Sequence, residues 1–451
     1  MRWNLKPSQI DGHQETSEFL AQDFVSWTTV LSSNRPRIIG PISDLPAPPS
    51  VKTTMSERFD TLFSGMSEET AMSTLLSPPG ELSNPGLKYL AATRLGACSS
   101  PESLERLLQA GANTSEDLYE RITRRKALDA LGRRKSPKAL PVLLDALQAD
   151  DEPTVVNAAD AIARIGIPLD CDGQISLIRA LQGPDNQRRA VIQAFTRLEM
   201  ADRDQAIERC RQDSNPLVAG AAHAHRIRVE ENLDGLAPLI RQLQDDNPGR
   251  RRAAVIDLGD AGRLEALEAL SRCPVSMPLR AKSAFQMATS NGGAIEPKAV
   301  ELLEQLLQDD PRQLDLSRLP VTPGREDAIR DGLQHRDEAR QYADAKALMG
   351  LPKVTQLQLI DGLRSSLGSD YGVHYLLASC AGLLQLHERS DLVRDALSEI
   401  APQYAKSRVA AAWSCVRLGL KDQRSALQEL SQTNRWQPLR WSCERVLVHL
   451  A

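Results

Sequence analysis

One motif returns six times along this chain and limits what it can fold into. "RKALDALG" at 125, "NAADAIARIG" at 157, "RAVIQAFTRL" at 189, "GAAHAHRIRV" at 220, "RAAVIDLGDAG" at 252 and "RAKSAFQMA" at 280 share a small-residue anchor, at Ala127, Ala158, Ala190, Ala221, Ala253 and Ala281. The anchors stand 31, 32, 31, 32 and 28 residues apart, the length of one helical hairpin. Between them run second amphipathic stretches, such as "PKALPVLLDALQADD" (137–151) and "LAPLIRQLQDD" (236–246). Their apolar residues recur at helical spacing and a polar or Pro/Gly turn follows. A lone hairpin of this kind cannot cover the apolar stripes of both helices, so neighbours must stack and share one core. The expected fold is all-α, an alpha-alpha solenoid curved into a superhelix.

Composition agrees with that fold. Aromatics are only 4% of the 451 residues, Leu and Ala dominate, and runs rich in Val, Ile and Tyr are missing. Arg125, Arg189, Arg252 and Arg280 precede anchors and predict a ladder that neutralises helix ends and acidic turns. The division expected is an N-terminal segment 1–55, a repeat array 56–308, a connecting loop 309–324 and C-terminal repeats 325–451. The first contains an amphipathic helix over 15–31 and a Pro-rich strap over 34–50. Trp413, Trp436 and Trp441 are expected to help close the end of the stack, where a terminal repeat must hide an open core.

Several classes are excluded. A formal net charge of −4 does not suit nonspecific nucleic-acid binding, which needs a basic face. Seven scattered cysteines with no C-x-x-C pair read as buried or free thiols of a reducing compartment. No signal core and no bilayer-length apolar run occurs, so a cytoplasmic protein without membrane insertion is expected. Nucleotide, hydrolase-elbow and zinc-protease motifs are missing. "HRD" at 335–337 lacks the rest of a kinase signature. His223 and His225 lie two positions apart on a helix, on nearly opposite sides, so no metal site is expected. The basic runs at 120–138 and 249–255 suit anion binding, an acidic docking partner or plain solvation alike.

The stretch "LRSSLGSDYGVHYLLASC" (363–380) is the densest in chemistry. At about 100° per residue, Val373, Leu376, Leu377 and Cys380 form one apolar stripe. Tyr371, His374, Tyr375 and Ala378 fall together on the opposite side, and Asp370 stands at the N-cap position. Two readings fit. The rings pack on a neighbouring repeat, or they form a ligand face with Tyr stacking, Asp370 accepting from N–H groups and Arg364 meeting an anion. His374 adds a group able to move protons near neutral pH.

The 31-residue units, especially "SPKALPVLLDALQADDEPTVVNAADAIARIG" (136–166), resemble the HEAT-like repeats of cyanobacterial phycobilin lyases of the E/F type. The 363–380 stretch and "MPLRAKSAFQMATSNGG" (277–293) resemble segments of the long phycoerythrin-specific members. The resemblance implies noncovalent binding of a linear tetrapyrrole, phycoerythrobilin, as substrate with no further cofactor. It implies delivery to a cysteine of the phycoerythrin alpha subunit as a thioether, with or without isomerisation to phycourobilin. The lyase then needs no nucleophile of its own, in keeping with the missing catalytic motifs. Asp370, Tyr371 and His374 become the candidate catalytic residues. Arg364, Tyr375, Arg280 and Lys282 become the candidate pigment-binding residues. The Cys/His motif of one isomerising branch does not occur here. The alternative from the repeats alone is a noncatalytic adaptor that grips a protein partner.

Overall fold

The computed structural model describes residues 66–202, 204–289, 293–317, 319 and 328–450. The expected helix over 15–31, the strap over 34–50 and positions 320–324 of the connecting loop lie outside them. Among the described residues the chain is α-helix joined by short 3-10 turns, with an isolated antiparallel bridge between Thr289 and Ile295 in place of any strand. No described helix is long and apolar enough to cross a membrane. The described residues form two compact units, 66–239 with 260–262, and 240–259 with 263–450.

In the first unit, helices Leu118–Arg134, Glu152–Ile165, Asp185–Arg197 and Pro216–Val229 stack side by side, each on the next. Local sequence fixes their ends. Asp117 accepts from Tyr119 N at 2.9 Å and Asp151 from Thr154 N at 3.0 Å, so each carboxylate satisfies a donor that the helix itself leaves open. Gly166 ends the second helix at a left-handed φ of 73°, which glycine adopts without strain. Ala127, Ala158, Ala190 and Ala221 are all buried, as the spacing predicts. Glycine brings two helices closer still: a Cβ on Gly132 would stand 2.7 Å from the Cα of Ala161.

The arginines stitch repeats together. Arg121 and Arg125 both reach the cap Asp151 of the following helix, at 2.9 Å for Arg121 Nη2 and for Arg125 Nε. Burial opposes ionisation of Asp151, but hydrogen bonds from Arg125, Thr154 and Arg121 hold its carboxyl well below the usual range. Elsewhere in the basic run, Arg124 donates to Gly111 O at 3.1 Å and Arg134 to Ser100 O at 2.8 Å. A second row joins the helices further along. Arg164 spans Asp129 (3.0 Å) and Asp160 (2.7 Å), and Arg197 spans Asp160 and Asp260, both at 3.0 Å. Arginine suits this work because its planar fork binds two carboxylates at once.

In the second unit, helix Tyr371–Leu383 packs on Ala405–Leu418, which packs on Gln437–His449. The first pair approaches closely. A Cβ on Gly382 would lie 2.7 Å from the Cα of Ser414, and Ser414 Oγ donates to Ala378 O at 2.9 Å. Helix Val300–Gln308 packs against both Ala405–Leu418 and Gln437–His449. Trp413 and Trp436 are buried; Trp413 Nε1 donates to Ser442 Oγ at 3.2 Å. Trp441 instead meets Phe285 edge-on, with centroids 5.7 Å apart. In the run at 249–255, Arg252 is likewise tied into the protein, donating to Glu338 Oε1 at 2.8 Å and to Arg336 O at 2.9 Å, while Arg250 is exposed.

Candidate site at the Tyr371 to Leu383 helix

Asp370 starts this helix. Its Oδ1 accepts from Gly372 N and Val373 N, both at 2.9 Å, and its other oxygen takes no hydrogen bond from the described protein. Val373, Leu376, Leu377 and Cys380 are buried, as the helical wheel predicts. The opposite side differs from the expectation. Tyr371 is 43% exposed and His374 half-buried, but Tyr375 and Ala378 are buried at 6% and 0%. The reason is that this helix is enclosed on both sides from its second turn onward. Ser414 closes on Ala378, and Asp309 reaches Tyr375.

The predicted residues therefore separate into an open aromatic step and a sealed charge cluster. In the step, the His374 ring stands edge-on to Tyr404 at 4.7 Å between centroids, and Tyr404 Oη donates to Ser369 O at 3.3 Å. His374 Nδ1 is buried with no hydrogen-bond partner. Burial lowers the His374 pKa, against the pull of Glu399 and Asp395, so its imidazole is neutral at pH 7. Burial, then the charge of Asp370, raises the Tyr371 phenol. The step thus pairs a phenol that keeps its proton with an imidazole that lacks its second one.

The cluster is centred on Asp309, just past helix Val300–Gln308 and 2% exposed. Its carboxylate pairs with Arg280 and accepts from Tyr375 Oη. Tyr342 Oη lies 3.1 and 2.9 Å from its two oxygens. Arg280, itself 0% exposed, also donates to Val275 O at 2.7 Å and to Ser271 O. Burial alone would lower the Arg280 pKa; Asp309 and Tyr342 instead hold it up. Burial and Asp309 push both tyrosines well above their ordinary value. Beside the cluster there is a cavity of about 20 Å³, room for about one water. Arg280 and Tyr375, expected to touch pigment, are thus interior: one neutralises a buried carboxylate and the other hydrogen-bonds to it.

The remaining two stand apart. Arg364 is exposed and bound to Asp391 and to Asp395 (3.0 Å). Lys282 is exposed, about 200° around its helix from Arg280. Sequence reasoning missed Asp309, Tyr342, Tyr404 and Lys406. A signal for two of them was present, because Asp309, Tyr342, Tyr375, Arg408 and Trp441 follow one another at steps of 33 residues. No thiol here is reactive: burial pushes Cys380 and Cys415 up to about 12. Among the described residues, no group of three His, Cys, Asp or Glu could hold a metal ion.

The chain resembles known proteins at two levels. The HEAT repeats family model matches residues 80–163 and 117–196, and the second unit continues the same helical-hairpin plan. The relatives are narrower. The chain is 27% identical over 371 residues to an uncharacterised phycocyanin operon protein Y of Pseudanabaena tenuis, covering 81% of this chain and 87% of that protein. It is 24% identical to the bilin biosynthesis protein CpeY of a Synechococcus strain, covering 73% and 81%. To the bilin biosynthesis protein PecE of a Nostoc strain it is 26% identical, covering 41% and 74%. Among solved structures, the CpcE and CpcF complex of a Nostoc phycocyanin lyase matches 58% of this chain at 20% identity and a TM-score of 0.47. The chain is thus similar to HEAT-repeat proteins over part of its first unit and, over most of its length, to bilin biosynthesis proteins.

Proposed function

We propose that this protein attaches phycoerythrobilin to a cysteine of a phycoerythrin alpha subunit. The observation that carries the proposal is the similarity to the bilin biosynthesis protein CpeY, which spans 81% of that protein. The acceptor thiolate adds to the ethylidene carbon of ring A; a C–S bond forms, the exocyclic double bond is consumed and the adjacent ring carbon takes a proton. Nothing leaves and no oxidant is needed. The lyase has to hold the pigment, expose one face and keep out other thiols. Tyr371 offers a ring for stacking and an O–H for the proton. His374 is the base form at neutral pH, and the free oxygen of Asp370 suits pyrrolic N–H groups. The same phenol and imidazole suffice for a double-bond shift to phycourobilin, since one carbon gains the proton another loses.

The sealing of Tyr375 and Arg280 favours a second reading, a noncatalytic adaptor, because two of the predicted ligand groups are already occupied. Co-expression with a phycoerythrin alpha subunit and phycoerythrobilin separates the two. A lyase yields a covalent, zinc-fluorescent acceptor band, whose absorption also reports which isomer is attached. An adaptor yields a stable complex and a colourless acceptor.

A further inference from the structure

We infer that Lys406 is a binding residue for the carboxylate of a ligand, the pigment's propionate if the proposed function holds. Lys406 opens helix Ala405–Leu418, two positions after Tyr404, so it belongs to the same helix start as the aromatic step. Its ammonium lies over the Tyr375 ring, 3.6 Å from the centroid, and 5.7 Å from that of Tyr342. Its nearest counter-charge is Asp309 Oδ2 at 3.9 Å, beyond hydrogen-bond reach.

That counter-charge is already committed. Asp309 is neutralised by Arg280, and its oxygens also accept from Tyr342 and Tyr375. The other acidic group that acts on Lys406, Glu338, is paired with Arg252 at 2.7 Å. Counting Arg280, Lys406 and Asp309, the cluster carries one positive charge in excess, and that charge is on Lys406. An ammonium has three donors, and no described protein atom accepts from these. The side chain is 22% exposed, so Lys406 is not closed off from an incoming group. Burial, with Asp309 opposing and Arg280 assisting, lowers its pKa to about 8, the sign of a cation lacking an adequate partner. The flat ring beneath it fixes the ammonium, and a carboxylate would supply the missing acceptor.

The test compares phycoerythrobilin with its dimethyl ester, titrated by visible absorption against wild type, Lys406→Met and Lys406→Arg, with thermal midpoints confirming the fold of each. Wild type should bind the free acid about ten-fold more tightly than the ester, the factor for one charge-assisted hydrogen bond of about 1.4 kcal/mol. Lys406→Met should lose that factor for the acid alone, and Lys406→Arg should keep it. Equal binding of the acid by wild type and Lys406→Met overturns the inference, as does a parallel loss of acid and ester. Wild type binding neither form overturns the pigment reading instead. Glutarate then serves as probe, with acetylation of Lys406 read by mass spectrometry: protection supports the carboxylate site, and labelling indifferent to glutarate overturns it.

Discussion

Asp309→Asn probes the sealed cluster with the least disturbance of shape. The residue sits at a left-handed φ of 46°, a region that Asn tolerates nearly as well as Asp, so the backbone is kept while the charge is removed. Arg280, 0% exposed, is then left as a buried cation without a counter-ion. Removing one partner of a buried pair costs about 3–5 kcal/mol. The Asn amide oxygen still accepts from a tyrosine, recovering about 1 kcal/mol; the expected net loss is about 3 kcal/mol. For a unit of roughly 200 residues, each kcal/mol lowers the midpoint by about 2–4 °C, or about 6–12 °C in all. Tryptophan fluorescence in a urea titration reads it, since Trp413, Trp436 and Trp441 lie in this unit. Tyr375→Phe is the graded control, losing one hydrogen bond at about 1 kcal/mol. A loss below about 1 kcal/mol for Asp309→Asn would refute the sealed-pair reasoning, because water would then have to reach Arg280.

Three further outcomes are expected. Lys406→Met removes a group whose folded pKa of about 8 lies below the ordinary lysine value, so the unfolded chain holds that proton more firmly; relative to this variant, wild type should gain stability as pH rises from 8 to 10. A flat difference over that window would mean that Lys406 is well solvated. Gly132→Ala puts a Cβ against the Ala161 backbone and should destabilise the first unit by about 1–3 kcal/mol, measured by thermal unfolding followed by circular dichroism. Tyr371→Phe combined with His374→Ala should abolish pigment transfer while the fold persists, and wild-type transfer should hold from pH 8 to 6.5 and fall below that, where the lowered His374 pKa is reached.

The fold was legible because its signal is repeated. Each Ala anchor buries for the same reason, and the period alone dictates stacking. Caps were legible too, as Asp370 illustrates, because an N-cap acts through its own next three residues. What the sequence hid is long-range. A helical wheel separates two faces but does not show that both are covered, so it grouped Tyr375 with Tyr371 although Asp309, 66 residues away, encloses only the former. Arg280 looked like an anion receptor for the same reason. The arginine rungs were legible as structural, since Arg125 and Arg280 each reach an acidic group about one repeat further on, Asp151 and Asp309, whereas the position of Lys406 over Tyr375 emerges only from packing.

The central claim is transfer of a bilin at the aromatic step, and the absorption of purified acceptor after co-expression tests it most directly. Wild type should give an acceptor subunit carrying covalent pigment, and the Tyr371→Phe, His374→Ala chain, equally folded, should leave it colourless. An acceptor coloured to the same extent by both chains would contradict the site, and one left colourless by wild type would contradict the function.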